Sequence, residues 1–322
     1  MDLTALLERF AGGDRRALAR LITLVENRSE IVPRIMSRVY GRGGRAALLG
    51  VTGPPGAGKS TLTDRLIAHY RSSGRTVGVV AVDPSSPFSG GAILGDRVRM
   101  QTHFLDEGVF IRSLSTRGRH GGLARATREV ARLLDAFGFD VVIVETVGVG
   151  QTELDVMRLA QTTLVVLVPE AGDTIQVMKA GLLEIADVFV VNKADRPGAE
   201  RLKSELEAML QLRPGDGGWR VPVLLTEATR GVGIEPLAGA IERHGASERA
   251  SDGARARVEE WVEIVREELG ARVERAVEAG ALAPLVEDLR AGRTDPYAAA
   301  LATLGDAERV AALLTGAEGR RG

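Results

Sequence analysis

Gly53-Pro54-Pro55-Gly56-Ala57-Gly58-Lys59-Ser60, with Thr61 behind it, is the stretch on which the fold turns. Its spacing fits G-x-x-x-x-G-K-[ST]. The residues before it, Ala46-Ala47-Leu48-Leu49-Gly50-Val51-Thr52, read as a short buried strand, and residues 61–71 read as a helix. A glycine loop between a strand and a helix is the setting that makes this pattern a phosphate cradle. The glycines let backbone N–H groups approach phosphate oxygens with no Cβ in the way. The helix N-terminus adds favourable partial positive charge. Lys59 supplies a compact charge for the β- and γ-phosphates, and Ser60 offers a hydroxyl to Mg²⁺. A glycine-rich turn without a ligand is the alternative, and the full motif in this setting disfavours it.

Outward from the loop, short apolar runs recur at residues 76–82, 141–144, 164–168, 188–191 and 221–225, with helical segments between them. Such alternation predicts an α/β fold, a mostly parallel sheet covered by helices on both faces. Residues 2–40 read as helical. Gly12-Gly13-Asp14 is a stop followed by a new N-cap, and Gly41-Arg42-Gly43-Gly44-Arg45 is a break. The small, polar run from His244 to Ala254 reads as a linker or a helix boundary. Past it, Val258, Trp261, Val262, Val265, Leu269 and Val273 share one helical stripe. Packing against its own chain is the first reading of that stripe, and contact with a second copy the next. Asp295-Pro296 reads as an N-cap with Pro at the first helical position. The expected organisation is an N-terminal helical extension over residues 1–40, a phosphate-loop domain over 41–245 and a helical region over 255–322.

The chain has 322 residues, 44% of them hydrophobic and 26% charged, ordinary values for a globular protein with a sizeable core. Its 42 basic and 43 acidic residues nearly cancel, which gives no support to a bulk nucleic-acid partner. There is no cysteine, so disulfides, thiolate zinc sites, Fe–S ligation and a cysteine nucleophile are excluded. The start of the sequence lacks the pattern of a secretory signal. No apolar run approaches the ~18 residues of a membrane span. A cytoplasmic protein without a membrane partner is the expectation.

Asn192-Lys193-Ala194-Asp195 follows the apolar run 188–191. This N-K-x-D pattern reads guanine, because the Asp195 carboxylate accepts from both N1–H and the N2 amino group. Adenine offers neither, and would leave the carboxylate unpaired at a cost of about 1–3 kcal/mol. GTP is therefore favoured over ATP. Asp83 and Glu145 each end a strand-like run and are expected at the carboxyl edge of the sheet, beside the phosphates. With Ser60 they form an oxygen donor set suited to Mg²⁺. Gly148 and Gly150 give a loop able to follow the γ-phosphate. His69, His103, His120 and His244 are scattered, which disfavours a transition-metal site.

Several runs resemble one family. They are Asp83-Pro84-Ser85-Ser86-Pro87, Arg117-Gly118 with Gly121-Gly122-Leu123, and Glu145-Thr146-Val147-Gly148-Val149-Gly150-Gln151. Pro169-Glu170-Ala171-Gly172-Asp173 and its continuation to Asn192-Lys193-Ala194-Asp195 belong with them. Over about residues 41–240 the chain resembles the MeaB/ArgK family, the methylmalonyl-CoA mutase-associated GTPases of the SIMIBI class of P-loop proteins. The resemblance implies a P-loop GTPase that acts as a chaperone of an adenosylcobalamin-dependent methylmalonyl-CoA mutase, gating cofactor loading and protecting the mutase. It implies bound GTP or GDP held by residues 53–61, Asn192, Lys193, Asp195 and Ala228. It implies Mg²⁺ at Ser60, Asp83, Asp96 and Glu145, with Lys59, Glu145 and Asp83 in the chemistry. Gly148 and Gln151 match switch positions, and residues 172–179 match a third switch, with Asp173 and Lys179 as its charged members. A homodimer joined partly through the C-terminal helices is implied too. Gln151 stands three residues past Gly148, which points to slow hydrolysis accelerated by the partner. The family usually has Thr-Ser-Ala where this chain has Thr226-Glu227-Ala228. Two alternatives share the motifs in part: a metal-insertion GTPase of nickel-enzyme maturation, which should carry Cys or His clusters, and an ATP-dependent kinase of a transport system.

Overall fold

The computed structural model describes residues 2–83, 101–103, 105–115, 122–146, 148, 154, 156–169, 181–212, 218–249, 253–280 and 282–315. Seven strands form one sheet: β1 (Ala47–Thr52), β2 (Val77–Asp83), β3 (Val109–Ser115), β4 (Val141–Thr146), β5 (Thr162–Leu167), β6 (Val188–Asn192) and β7 (Val223–Thr226). The order across the sheet is β3-β2-β4-β1-β5-β6-β7, and every pairing is parallel.

The interior strands are mainly apolar runs, rich in valine in β2, β4, β5 and β6, because both faces are covered. Along β4, Val142 and Val144 join one core while Val141 and Ile143 join the opposite one, the period of two expected of a strand. The first core is closed by α1 (Leu3–Ala11), α2 (Arg15–Glu26), α3 (Val32–Val39) and α5 (Gly122–Phe137). The second lies under α4 (Lys59–Ser72) and α8 (Ile234–Arg249), through Leu62, Leu66, Ile67 and Tyr70 on one helix and Leu237, Ala240 and Ile241 on the other. A third, smaller core joins α6 (Leu182–Ile185) and α7 (Ala199–Gln211) to β5 and β6. Asp14 caps α2 by accepting from the N–H groups of Arg16 and Ala17, as the stop-and-restart at Gly12-Gly13-Asp14 predicts.

Two features depart from the sequence reading. Strand β3 was not among the expected strands. It is an edge strand in which Phe110, Ile111, Arg112 and Ser113 are only half-buried, and its apolar run breaks at Arg112 and Ser113. Its Arg112 is held by Glu26 and by the Thr23 hydroxyl of α2, which covers that edge. Of the two readings of the run starting at His244, the helix boundary holds, with one helix ending at Arg249 and the next starting at Gly253, while the linker fails over the run's first part. Helix α8 continues through it to Arg249, and His244 is buried with its Nδ1 2.8 Å from Thr162 Oγ1. Its composition is polar, but the helix needs only the buried positions of one face to be satisfied.

The chain divides into two compact units, residues 1–250 and 251–322. The second is helical: α9 (Gly253–Glu278), α10 (Ala283–Arg290), α11 (Pro296–Leu304) and α12 (Ala307–Thr315). Asp295 caps α11 by accepting from the N–H groups of Tyr297 and Ala298, and Pro296 takes its first position. The α9 stripe is exposed in the single chain, Trp261 at 63%.

Candidate nucleotide site

All seven strands point the same way, so their carboxyl ends form one edge, and those expected site residues that the structure describes stand at or beside it. Central β1 runs straight into the loop 53–58, and α4 starts at Lys59. Two glycines are required by geometry. Gly53 has φ +146°, and a Cβ on it would lie 2.1 Å from the Val166 carbonyl oxygen. Gly58 caps α4 at φ +87°, and a Cβ there would lie 2.4 Å from Asn192 Nδ2. Lys59 is buried and curls over the loop, its Nζ donating to the carbonyls of Gly53 at 2.8 Å and Pro54 at 3.0 Å. Those bonds fix its charge at the mouth of the cradle. Thr61, two residues on in α4, is half-buried.

Strand register brings the acids to the same place. Glu145 pairs with Val51, two residues before the loop. Asp83 ends β2, one step past the pair Val82–Thr146. The buried Glu145 carboxylate accepts from the Ser60 hydroxyl at 2.5 Å, so two of the expected cation ligands already converge. This all-oxygen pair fits Mg²⁺, which takes one or two protein ligands and fills its shell with phosphate oxygens and water. Among the described residues no cluster of three or more His, Asp or Glu could hold a metal unaided. Gly148 lies beside the loop's root. Its carbonyl accepts from the Thr52 hydroxyl at 3.1 Å, and that hydroxyl in turn accepts from Thr146 Oγ1 at 3.0 Å. These threonines were not singled out from sequence; their place at the ends of β1 and β4 is the signal that could have found them. Asp96, Gln151, Asp173 and Lys179 lie outside the described residues.

The base-reading side is built from the ends of β6 and β7. Asn192 is buried and donates from Nδ2 to the Ala57 carbonyl of the phosphate loop at 2.9 Å. Its Oδ1 accepts from Thr226 Oγ1 and from the Ala228 N–H, each at 3.1 Å. Lys193 takes a left-handed φ of +57°, rare for a side-chain-bearing residue and concentrated at functional sites. The turn then leaves Asp195 exposed. Its N–H at Ala194 donates to the Thr226 carbonyl at 3.0 Å, which ties the two loops together. Glu227, the departure noted above, accepts from Arg230 at 2.9 Å and so braces its own turn.

The comparisons with known proteins match this geometry. A family model for the methylmalonyl-CoA mutase-associated GTPase MeaB matches residues 18–278. The chain belongs to this family. A Pyrococcus abyssi protein named as a GTPase is 49% identical over 303 residues, 92% of this chain and 94% of its own. Escherichia coli GTPase ArgK is 38% identical over 243 residues, 73% of each chain. The fused isobutyryl-CoA mutase of Cupriavidus metallidurans is 38% identical over 232 residues, 70% of this chain and 21% of that protein. Among solved structures, a LAO/AO transport system kinase aligns with a TM-score of 0.69 at 28% identity, over 93% of this chain and 96% of its own. The protein is thus a MeaB-family GTPase with the P-loop fold, and a guanine-nucleotide protein. The family is described as methylmalonyl-CoA mutase-associated, and in the fused isobutyryl-CoA mutase the matching segment is part of the mutase chain itself.

Proposed function

We propose that this MeaB-family protein binds and hydrolyses GTP as a chaperone of an adenosylcobalamin-dependent acyl-CoA mutase, methylmalonyl-CoA mutase, gating cofactor loading and protecting the enzyme. One observation carries the guanine half of the reading. Asn192 locks the N-K-x-D turn onto Ala57 of the phosphate loop, so phosphate cradle and base reader form one unit. The mutase half is supported by the family and by the relative that is a fused mutase.

In this reading residues 53–61 hold the phosphates and Asp195 reads the base, with Asn192, Lys193 and Ala228 shaping its pocket. Lys59 stabilises charge developing on the γ-phosphate during attack by water. Ser60 and Glu145, with Asp83 at the end of neighbouring β2, would hold Mg²⁺, which would neutralise phosphate charge when bound. Among the described residues no helix is long and apolar enough to cross a membrane, and we place the activity in the cytoplasm. The exposed α9 stripe fits a second copy of the chain, giving a homodimer.

The test is GTP turnover by the full chain, alone and with methylmalonyl-CoA mutase, with ATP as control. Slow turnover of GTP alone, raised by the mutase and absent with ATP, is expected. Equal turnover with and without mutase would overturn the chaperone reading, and equal use of ATP the guanine reading.

A further inference from the structure

The base-side loop is gripped from the phosphate helix by a residue that no motif contains. Arg65 lies on α4, on the turn after Lys59 and Ser60, and is half-buried. Its Nε donates to the Ala228 carbonyl at 2.9 Å, and one terminal nitrogen donates to the Thr229 carbonyl at 2.8 Å. The planar guanidinium thus spans two successive carbonyls, a geometry that a lysine ammonium cannot reproduce. The loop it holds is closed on itself. Glu227 N–H donates to the Val232 carbonyl at 3.0 Å, and Arg230 N–H donates to the Glu227 carbonyl at 2.9 Å. Arg65 therefore grips a rigid body, not a loose strand.

We propose that Arg65 is a positioning residue for base discrimination: it sets the 226–230 loop, and through it the Asn192–Asp195 turn, at the right distance from the phosphate cradle. This rests on the guanine-nucleotide reading above. The physical logic is that two bridges join the base side to the phosphate side. Asn192 reaches the cradle loop, and Arg65 reaches from the helix behind it. The Asn192 bridge and the Ala194 to Thr226 backbone bond hold the near end of the loop, where it leaves β7. The Arg65 fork fixes its far side, the Ala228 and Thr229 carbonyls, against α4. Asp195 would then meet the purine edge at fixed range, which is what discrimination between guanine and adenine needs. Loss of the fork leaves the phosphate cradle whole.

The experiment measures Kd for GDP and for ADP, each with Mg²⁺, on the full wild-type chain, Arg65→Met and Arg65→Lys, alongside GTP turnover and thermal melting. Arg65→Met is expected to weaken GDP about tenfold, the size of one lost charged hydrogen bond, while ADP changes by less than twofold. KM for GTP should rise in step with kcat nearly unchanged. Arg65→Lys should recover part of the GDP affinity. If Arg65→Met weakens GDP and ADP in the same proportion, or leaves both unchanged, the proposal is wrong. If Arg65→Met does not fold, the same comparison is read from Arg65→Lys, whose preference for GDP over ADP must fall below the wild type's. A wild-type chain that does not prefer GDP over ADP would instead remove the underlying guanine reading.

Discussion

At the scale of the residue, the two glycines of the phosphate loop differ from Gly56, and the difference is measurable. Gly53 is closed in by the Val166 carbonyl, whereas Gly56 has φ +77° but nothing within 4 Å of its would-be Cβ. Gly53→Ala is expected to lose nucleotide binding and to unfold several degrees lower, because backbone must move. Gly56→Ala carries only the left-handed penalty of about 1–2 kcal/mol. Melting curves and GDP titration separate the two. At Asp195 the expectation concerns chemistry rather than folding. An amide in place of the carboxylate turns one acceptor into a donor, which suits the C2 carbonyl of xanthine and not the C2 amino group of guanine. Asp195→Asn should therefore lose GDP affinity and gain affinity for xanthosine diphosphate, with an unchanged melting temperature.

At the scale of the element, α4 has two duties, and both can be probed. Its inner face carries Leu62, Leu66, Ile67 and Tyr70 into the core beneath the sheet. Leu66 is fully buried, and Leu66→Ala should cost about 2–5 kcal/mol in denaturant unfolding. The outer side of α4, at Asp64 and Arg71, anchors the segment that leads into β3. Arg71 grips Asp106 with two hydrogen bonds, at 2.8 and 2.9 Å, and Thr102 donates to Asp64 at 3.0 Å. The Arg71 guanidinium holds the Asp106 carboxyl below its ordinary value. Its stabilisation is thus complete above the unfolded carboxyl's value near 3.9 and is lost as pH falls through the lower folded value. Wild type should lose melting temperature faster than Asp106→Asn on acidification below about pH 4. Parallel melts at neutral and acid pH check the sign. Equal slopes would mean that the anchor contributes nothing of this kind.

At the scale of the whole molecule, the proposed homodimer rests on the exposed stripe of α9, which a second copy would cover. Trp261 is the largest residue on it, flanked by Val258, at 58% exposure, and Val262. Trp261→Glu is expected to turn a dimer into a monomer by light scattering while GDP binding by the 1–250 unit persists. A monomeric wild type would dispose of the dimer. The kinase name of one structural neighbour bears on fold and not on reaction, since a likeness of backbone is compatible with many chemistries.

The phosphate loop, its flanking strand and helix, the Asn192–Asp195 turn and five further strands were legible in the sequence, because each depends on local pattern. Glycines at fixed spacing, apolar runs of strand length and capping residues such as Asp14 and Asp295 announce themselves without knowledge of their neighbours. Strand β3 did not, since an edge strand keeps half its residues polar and borrows its stability from α2 through Arg112. Nor did the tail of α8, where polar composition hides a helix that buries His244. What only the tertiary structure decided is which distant groups meet. Ser60 meets Glu145, Asn192 meets Ala57, and Arg65 meets Ala228 across 163 positions of chain. These contacts follow from strand order and register, and order is set by the packing of whole layers, which no window of sequence contains.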